Sequence, residues 1–368
     1  MSSDDVVRLI RPELAGFVGY AASKSPETLV GKVEVPIEEI IKLDANENPY
    51  GCSPKVNAAL ATYTDLHIYP DSGQTELRKW LQEYTGVSFE NIVAGSGSDQ
   101  LIDLIFRLFL EAGDEVINCV PTFAMFRFFM GLSNGKLVEV PRDETYAVKV
   151  AAVKAAITKR TKIILLATPN NPTGTITPRQ DILQILDTGL PVVVDEAYYE
   201  FSGETVAPLI NRYPNLIVLR TFSKWAGLAG LRIGYGLFPP QIADCLLKIK
   251  EPYSVNVAAI IAARESLKDR DYLMDKVNTI ITERERLFAE LKKLEWIKPF
   301  PSRANFIFCT VRKGKASELQ QQLQQKGILV RYFDQPYLQN SIRISVGKPE
   351  DTDTLVKALQ ELGEEING

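Results

Sequence analysis

The sequence predicts an α/β protein: a large domain with a mostly parallel central sheet flanked by helices, joined to a smaller α+β domain. Two observations carry that prediction. Between about residue 92 and residue 223, short runs rich in β-branched residues alternate with helical stretches. Continuous apolar runs of this kind suit strands buried on both faces of a parallel sheet. After about residue 250 the alternation gives way to a long charged helix and then to separated strands, a pattern of the α+β kind. The expected division is an N-terminal arm with a small-domain segment over 1–45, the large domain over 46–260 and a C-terminal small domain over 261–368.

Element by element, residues 1 to about 40 hold Pro12, Pro26 and Pro36 with little periodicity and read as an arm. "IIKLDANENPYG" is a short strand ending in a polar turn. "TELRKWLQEYTG" places Leu77, Trp80, Leu81 and Tyr84 at helical spacing and is closed by Gly86. "NIVAGSGSDQLIDLIFRLFLEAGD" reads as strand, glycine turn and long apolar helix. "EVINCV", "KLVEV", "TKIILLATP", "PVVVDEAY" and "LIVLRTFS" are strands, with a helix around "PRQDILQIL". The C-terminal part holds a helix through "DYLMDKVNTIITERERLFAELKKLEW". Strand-like "NFIFCTV", amphipathic "ASELQQQLQQKG", strand-like "ILVRYF" and "SIRISVG", and a terminal helix follow.

The totals exclude several functions. With 42 Lys and Arg against 46 Asp and Glu, the net charge of -4 offers no basic surface for nucleic acid. No apolar run reaches membrane-spanning length, and the N-terminus lacks the pattern of a signal peptide. The four scattered cysteines, Cys52, Cys119, Cys245 and Cys309, form no C-x-x-C pair and read as free thiols of a reducing, cytoplasmic setting. His67 is the only histidine, which removes a histidine-rich metal site. No G-x-S-x-G elbow accompanies it, and it reads as a partly exposed loop residue.

Open α/β sheets bind ligands at the carboxyl ends of their strands, so the loops there hold the chemistry. "GSGSDQ" follows a strand and opens a helix. It has Gln100 where a dinucleotide fingerprint has its third glycine, yet keeps the flexible glycines and helix N-terminus of an anion site. The alternative is a tight turn with Ser98 as N-cap. "PTFAMF" puts Phe123 at a strand end, as a core residue or as a ring platform. "TPNNPTG" offers asparagine amides. In "VVVDEAYYEF", Asp195 and Glu196 end a buried strand, which is costly unless a cation or a donor meets them. Such a carboxylate serves either a site or a structural salt bridge. In "RTFSKWAGLAGLRIGYG", Lys224 sits among small and apolar residues, a setting that lowers an amine's pKa.

Pyridoxal phosphate uses all of these parts. It needs a lysine for a Schiff base, a carboxylate for its pyridine nitrogen, donors for its phenolic oxygen and an aromatic on its face. Its phosphate suits a helix N-terminus and an arginine. The motifs "LDANENPYG", "PNNPTG", "DEAY", "SKWAGLAGLRIGY" and "SIRISVG", in this order, resemble fold-type I pyridoxal-phosphate-dependent aminotransferases of the class II subgroup. Among these they are most similar to the histidinol-phosphate aminotransferase family, over nearly the whole chain. The resemblance implies that Lys224 carries the Schiff base and shuttles the proton, and that Asp195 pairs with the pyridine nitrogen. It implies that Asn171 and Tyr198 bond the phenolic oxygen and that Phe123 stacks on the ring. Ser98 and Asp99 would offer backbone groups to the phosphate, with Thr221, Ser223 and Arg232 completing that pocket. Tyr69 would reach the phosphate of a neighbouring subunit, making a homodimer with a shared site. Tyr20, Asn46, Arg331 and Arg343 would line the substrate pocket, the two arginines suiting a phosphate-bearing substrate and the carboxylate of glutamate.

The implied reaction is ping-pong transfer between histidinol phosphate and 2-oxoglutarate. An aromatic-amino-acid aminotransferase and a threonine-phosphate decarboxylase share the scaffold as alternatives. A non-catalytic nucleotide-binding module would leave Lys224 and Asp195 unexplained.

Overall fold

A computed structural model describes residues 6–23, 25–29, 33, 35–333 and 335–367. Of the expected arm, residues 1–5, 24, 30–32 and 34 lie outside the described residues.

Strand β1 (Ile41–Leu43) leaves the arm and joins the second of two sheets. The first sheet has seven strands: β2 (Ile92–Ser96), β3 (Glu115–Val120), β4 (Lys136–Pro141), β5 (Thr161–Ala167), β6 (Val192–Asp195), β7 (Leu216–Thr221) and β8 (Ile233–Leu237). Their order is β2-β8-β7-β6-β5-β3-β4. The run from β7 to β4 is parallel, and only β8 opposes its neighbours. The fold is therefore α/β with a mostly parallel sheet, as the apolar runs indicate.

Side-chain alternation explains why those runs are continuous. Val192 and Val194 enter one core while Val193 enters another, and Ile164 and Leu166 part from Ile163 and Leu165 in the same way. Both faces of the sheet are dry, so neither needs polar residues.

β8 and the three-residue β9 are strands that the sequence reading leaves out; in β8, "IGYGL" carries two glycines. Gly234 has a reason to be there. A Cβ on it would lie 2.5 Å from the backbone nitrogen of Ser98, so its absence lets the helix Gly97–Phe109 start directly on the strand.

The second sheet runs β1-β11-β12-β10-β9, with β9 (Ile297–Pro299), β10 (Phe306–Val311), β11 (Ile328–Phe333) and β12 (Ser341–Ser345). β1 pairs parallel with β11, and the other strands pair antiparallel. The helix Arg270–Lys292 packs on this part of the chain, and its buried Leu273, Val277 and Leu287 join Phe306 and Ile342 in one core. That core also holds Val194 and Leu216 of the first sheet, so the two sheets share an apolar interior.

The topology gathers the loops. The ends of β2, β3, β5, β6 and β7 point the same way, and antiparallel β8 starts at that edge. The residues that follow these strands therefore open on one crevice, which the second sheet and the arm cover.

Candidate active site

Lys224 follows β7 between two fully buried aromatics, Phe222 and Trp225, which fix the turn that carries it. Its Nζ donates to the Ala45 carbonyl at 3.0 Å. Among the described residues no carboxylate lies within ion-pair distance of it. Burial, reinforced by the nearby Arg343 cation, pulls its pKa down to about 8. Gly227, at φ +67°, lets this turn press on the Gly51 carbonyl, which a Cβ would meet at 2.3 Å.

Asp195 and Glu196 divide the two readings of their motif. Asp195 lines the cavity, and its Oδ1 accepts the Ala197 N–H at 3.0 Å. It has no cationic partner among the described residues, and burial pushes its pKa up to about 7. Glu196 points into the protein. Its Oε2 accepts both Nε and Nη2 of Arg220, at 3.0 and 2.9 Å, and its Oε1 accepts the Val206 N–H. The structural salt bridge belongs to Glu196, and the unpaired carboxylate to Asp195.

Asn171 and Tyr198 are oriented by their neighbours. Arg343 Nη1 donates to Asn171 Oδ1 at 2.6 Å, which turns the amide so that Nδ2 remains a donor. Asn46 Nδ2 donates to the Tyr198 hydroxyl oxygen at 2.8 Å, so the hydroxyl proton is directed elsewhere. Asn46 is locked in turn. Its amide N–H donates to Ser345 Oγ at 2.8 Å, Ser345 Oγ donates to its Oδ1 at 3.0 Å, and Asn305 Nδ2 donates to its carbonyl. Nothing in the sequence singles out the pair Asn305 and Ser345. Asn305 directly precedes β10 and Ser345 ends β12, and their distant partner Asn46 explains both. Asn170, beside Asn171, is fully buried and structural: it accepts from Thr122 and Arg142 and donates to Thr173.

At the other end of the cavity, the helix Gly97–Phe109 begins with its N-cap at Ser96. The alternative of Ser98 as N-cap is thus corrected: Ser98 lies inside the first turn and lines the cavity. The first N–H groups of a helix have no acceptor within it, and they give that end a partial positive charge. Thr221 Oγ1 donates to Ser223 Oγ at 2.9 Å, and both hydroxyls line the cavity. Arg232 Nη2 donates to Asp99 Oδ2 at 2.8 Å and lies against Gly97, where a Cβ would meet that nitrogen at 2.6 Å. Hydroxyls, guanidinium and helix N-terminus together make an anion cradle.

Phe123 ends the loop after β3 and lines the same cavity, as do Tyr20 from the arm and the arginines of the second sheet. Arg331 and Arg343 are directly opposed across β11 and β12. Like charges so placed repel, and such a pair is unfavourable without an anion. Arg331 Nη2 donates to the Ala21 carbonyl and Arg343 Nη2 to the Asp44 carbonyl, while the buried Arg343 Nε has no partner. The cavity measures about 270 Å³. It contains all the candidate residues except Tyr69, which is 76% exposed on the surface and stacks on Tyr253 with ring centroids 4.4 Å apart. His67 is exposed in a turn nearby. Among the described residues no cluster of metal-ligating side chains occurs.

An amine held near neutrality, a buried carboxylate lacking a cation, two oriented donors and an anion cradle fit one cofactor. The fold and site define a pyridoxal-phosphate-dependent enzyme of fold type I. The family model for aminotransferase class I and II matches residues 38–359. A histidinol-phosphate aminotransferase of Dehalococcoides mccartyi is 57% identical over 98% of this chain and 99% of its own length. One from Roseiflexus castenholzii is 46% identical over 97% of this chain and 99% of its own. The crystal structure of histidinol-phosphate aminotransferase from Sinorhizobium meliloti in complex with pyridoxal-5'-phosphate superposes with a TM-score of 0.87 at 30% identity, covering 97% of this chain and 98% of that one. The chain belongs to the class I and II aminotransferases.

Proposed function

We propose that the protein transfers an amino group between histidinol phosphate and 2-oxoglutarate, giving imidazole-acetol phosphate and glutamate. The observation that carries the substrate reading is the opposition of Arg331 and Arg343 on neighbouring strands. Two guanidinium groups facing one cavity, neither in an ion pair among the described residues, suit a phosphate in one half-reaction and a dicarboxylate in the other. The names of the close relatives support the same reading.

The chain's groups take these roles. Lys224 Nζ binds the cofactor, then holds and returns the substrate's proton. Its lowered pKa keeps a neutral fraction at physiological pH that an ordinary lysine lacks. Asp195, buried in the cavity, would pair with the ring nitrogen and keep a proton on it. Asn171 Nδ2 and the Tyr198 hydroxyl donate to the phenolic oxygen. Phe123 covers the ring and keeps water from it. Ser98, Asp99, Thr221, Ser223 and Arg232 hold the phosphate. When bound, the cofactor supplies an electron sink. Tyr20, Asn46, Arg331 and Arg343 meet the substrate.

We read the exposed Leu66, Ile68, Tyr69 and Tyr253 as an interface, with Tyr69 completing the phosphate pocket of a second copy in a cytoplasmic homodimer. The test is a comparison of kcat/KM on histidinol phosphate and on phenylalanine. Preference for phenylalanine by more than about tenfold in transition-state discrimination would remove the substrate reading. Release of carbon dioxide from threonine phosphate would favour the decarboxylase instead.

A further inference from the structure

We propose that Gln100 and Glu251 form a brace that positions the cofactor-phosphate end of the site. The proposal rests on the pyridoxal-phosphate reading above, and neither residue lines the cavity. Gln100 lies in the helix Gly97–Phe109, one turn beyond the N-cap. Its Oε1 accepts the Ser96 N–H at 2.8 Å, and its Nε2 donates to Glu251 Oε2 at 2.6 Å. Ser96 makes no side-chain cap of its own, so this one-way bond sets how the chain turns from β2 into the helix. The orientation of the N–H groups of Ser98 and Asp99 follows from that turn.

The loop that carries Glu251 is tied locally. Lys250, 5% exposed, donates to the Glu251 carbonyl at 3.0 Å and reaches Ser254 Oγ at 3.4 Å. Two residues beyond Glu251, Tyr253 stacks on Tyr69. One short loop therefore touches the chain's own phosphate turn through Gln100 and the residue read as completing a second copy's pocket.

The chemistry of the pair is matched. An amide can accept from Ser96 and donate to a carboxylate at the same time. A carboxylate at position 100 can only accept, and it would face the carboxylate of Glu251.

The test uses Gln100→Ala, Gln100→Glu, Glu251→Gln and the double variant that combines Gln100→Glu with Glu251→Gln. Three quantities are read: pyridoxal phosphate affinity from the absorbance of the bound chromophore, kcat at saturating cofactor, and melting of the cofactor-free protein. Because Gln100 steadies the turn that meets the phosphate, Gln100→Ala and Gln100→Glu are expected to lose about tenfold in cofactor affinity with kcat unchanged and only a small fall in melting of the cofactor-free protein. In the double variant the amide and the carboxylate trade places. The carboxylate still accepts from Ser96, the amide on the far loop donates to it, and affinity returns toward that of the wild type. Wild-type affinity in Gln100→Ala, or equal affinities in Gln100→Glu and the double variant, would overturn the brace. A kcat that falls as far as the affinity would also overturn it, because positioning of the phosphate alone does not change turnover once the cofactor is bound. A wild type that takes up cofactor but does not turn over histidinol phosphate would remove the substrate reading and leave this test intact.

Discussion

Burial shifts Lys224 and Asp195 in opposite senses, and each shift predicts a pH dependence. Lys224, lowered to about 8, becomes neutral as pH rises through that value. The rate at which cofactor-free protein takes up pyridoxal phosphate covalently should climb through the same range, and Lys224→Ala should form no covalent chromophore. For Asp195 the sign is reversed. Between its ordinary 3.8 and about 7, the folded cofactor-free chain holds a proton that the unfolded chain has lost. The stability that Asp195 contributes therefore falls as pH rises across that window, and Asp195→Asn removes this share while that of buried Glu200, also raised to about 7, remains. Melting curves of the two cofactor-free proteins between pH 4 and 7 check it, the wild type losing ground to the variant as pH rises. In the loaded enzyme Asp195→Asn should slow the half-reaction by roughly 10²–10³-fold, a loss typical of one electrostatic partner, as read by single-turnover absorbance. That Asp195 or Glu196 matters was legible from a carboxylate pair ending three valines. Which one faces the cavity came only from the resemblance of "DEAY", because the partner of Glu196, Arg220, stands on the next strand.

At the scale of elements, the strands were legible where both faces are apolar and obscure where backbone approaches backbone. β8 is not picked out in the sequence because Gly234 and Gly236 lower strand propensity, yet closeness to the helix start demands Gly234. Gly234→Ala should push Ser98 away, costing about 2 kcal/mol of stability, in the range of overpacking. It should also weaken the cofactor. Urea denaturation and cofactor titration measure both. The Glu196–Arg220 pair makes a contrasting prediction. Arg220→Ala leaves a buried carboxylate alone and should cost about 3–5 kcal/mol of stability, while protein that remains folded keeps its affinity for the cofactor. A comparable loss of cofactor affinity would place the pair in the site rather than in the scaffold.

For the whole molecule, the candidate site was legible as a set of motifs but not as a shape. "DEAY", "SKWAGLAGLRIGY" and "IRISVG" lie far apart in the chain, and only the sheet order and the second sheet bring them to one cavity. The supports were harder to see. Asn305 has no local pattern to mark it, and Ser345 and the carbonyls of Asp44 and Ala45, though inside quoted motifs, have roles that appear only in the folded chain. If Tyr69 completes a second copy's pocket, diluting the enzyme below its dimer dissociation constant should lower activity and release cofactor together, checked by sedimentation against chromophore. The facing arginines of β11 and β12 have a thermodynamic consequence as well. Without ligand, the second sheet carries two unneutralised cations side by side, so an anion that settles there supplies missing charge balance and stabilises the fold by mass action. Melting temperature should rise with added inorganic phosphate, and the rise should shrink in Arg331→Ala. If the arginines meet the substrate as proposed, its negative charge is also a folding ligand, and the strands that would select it are steadied by it.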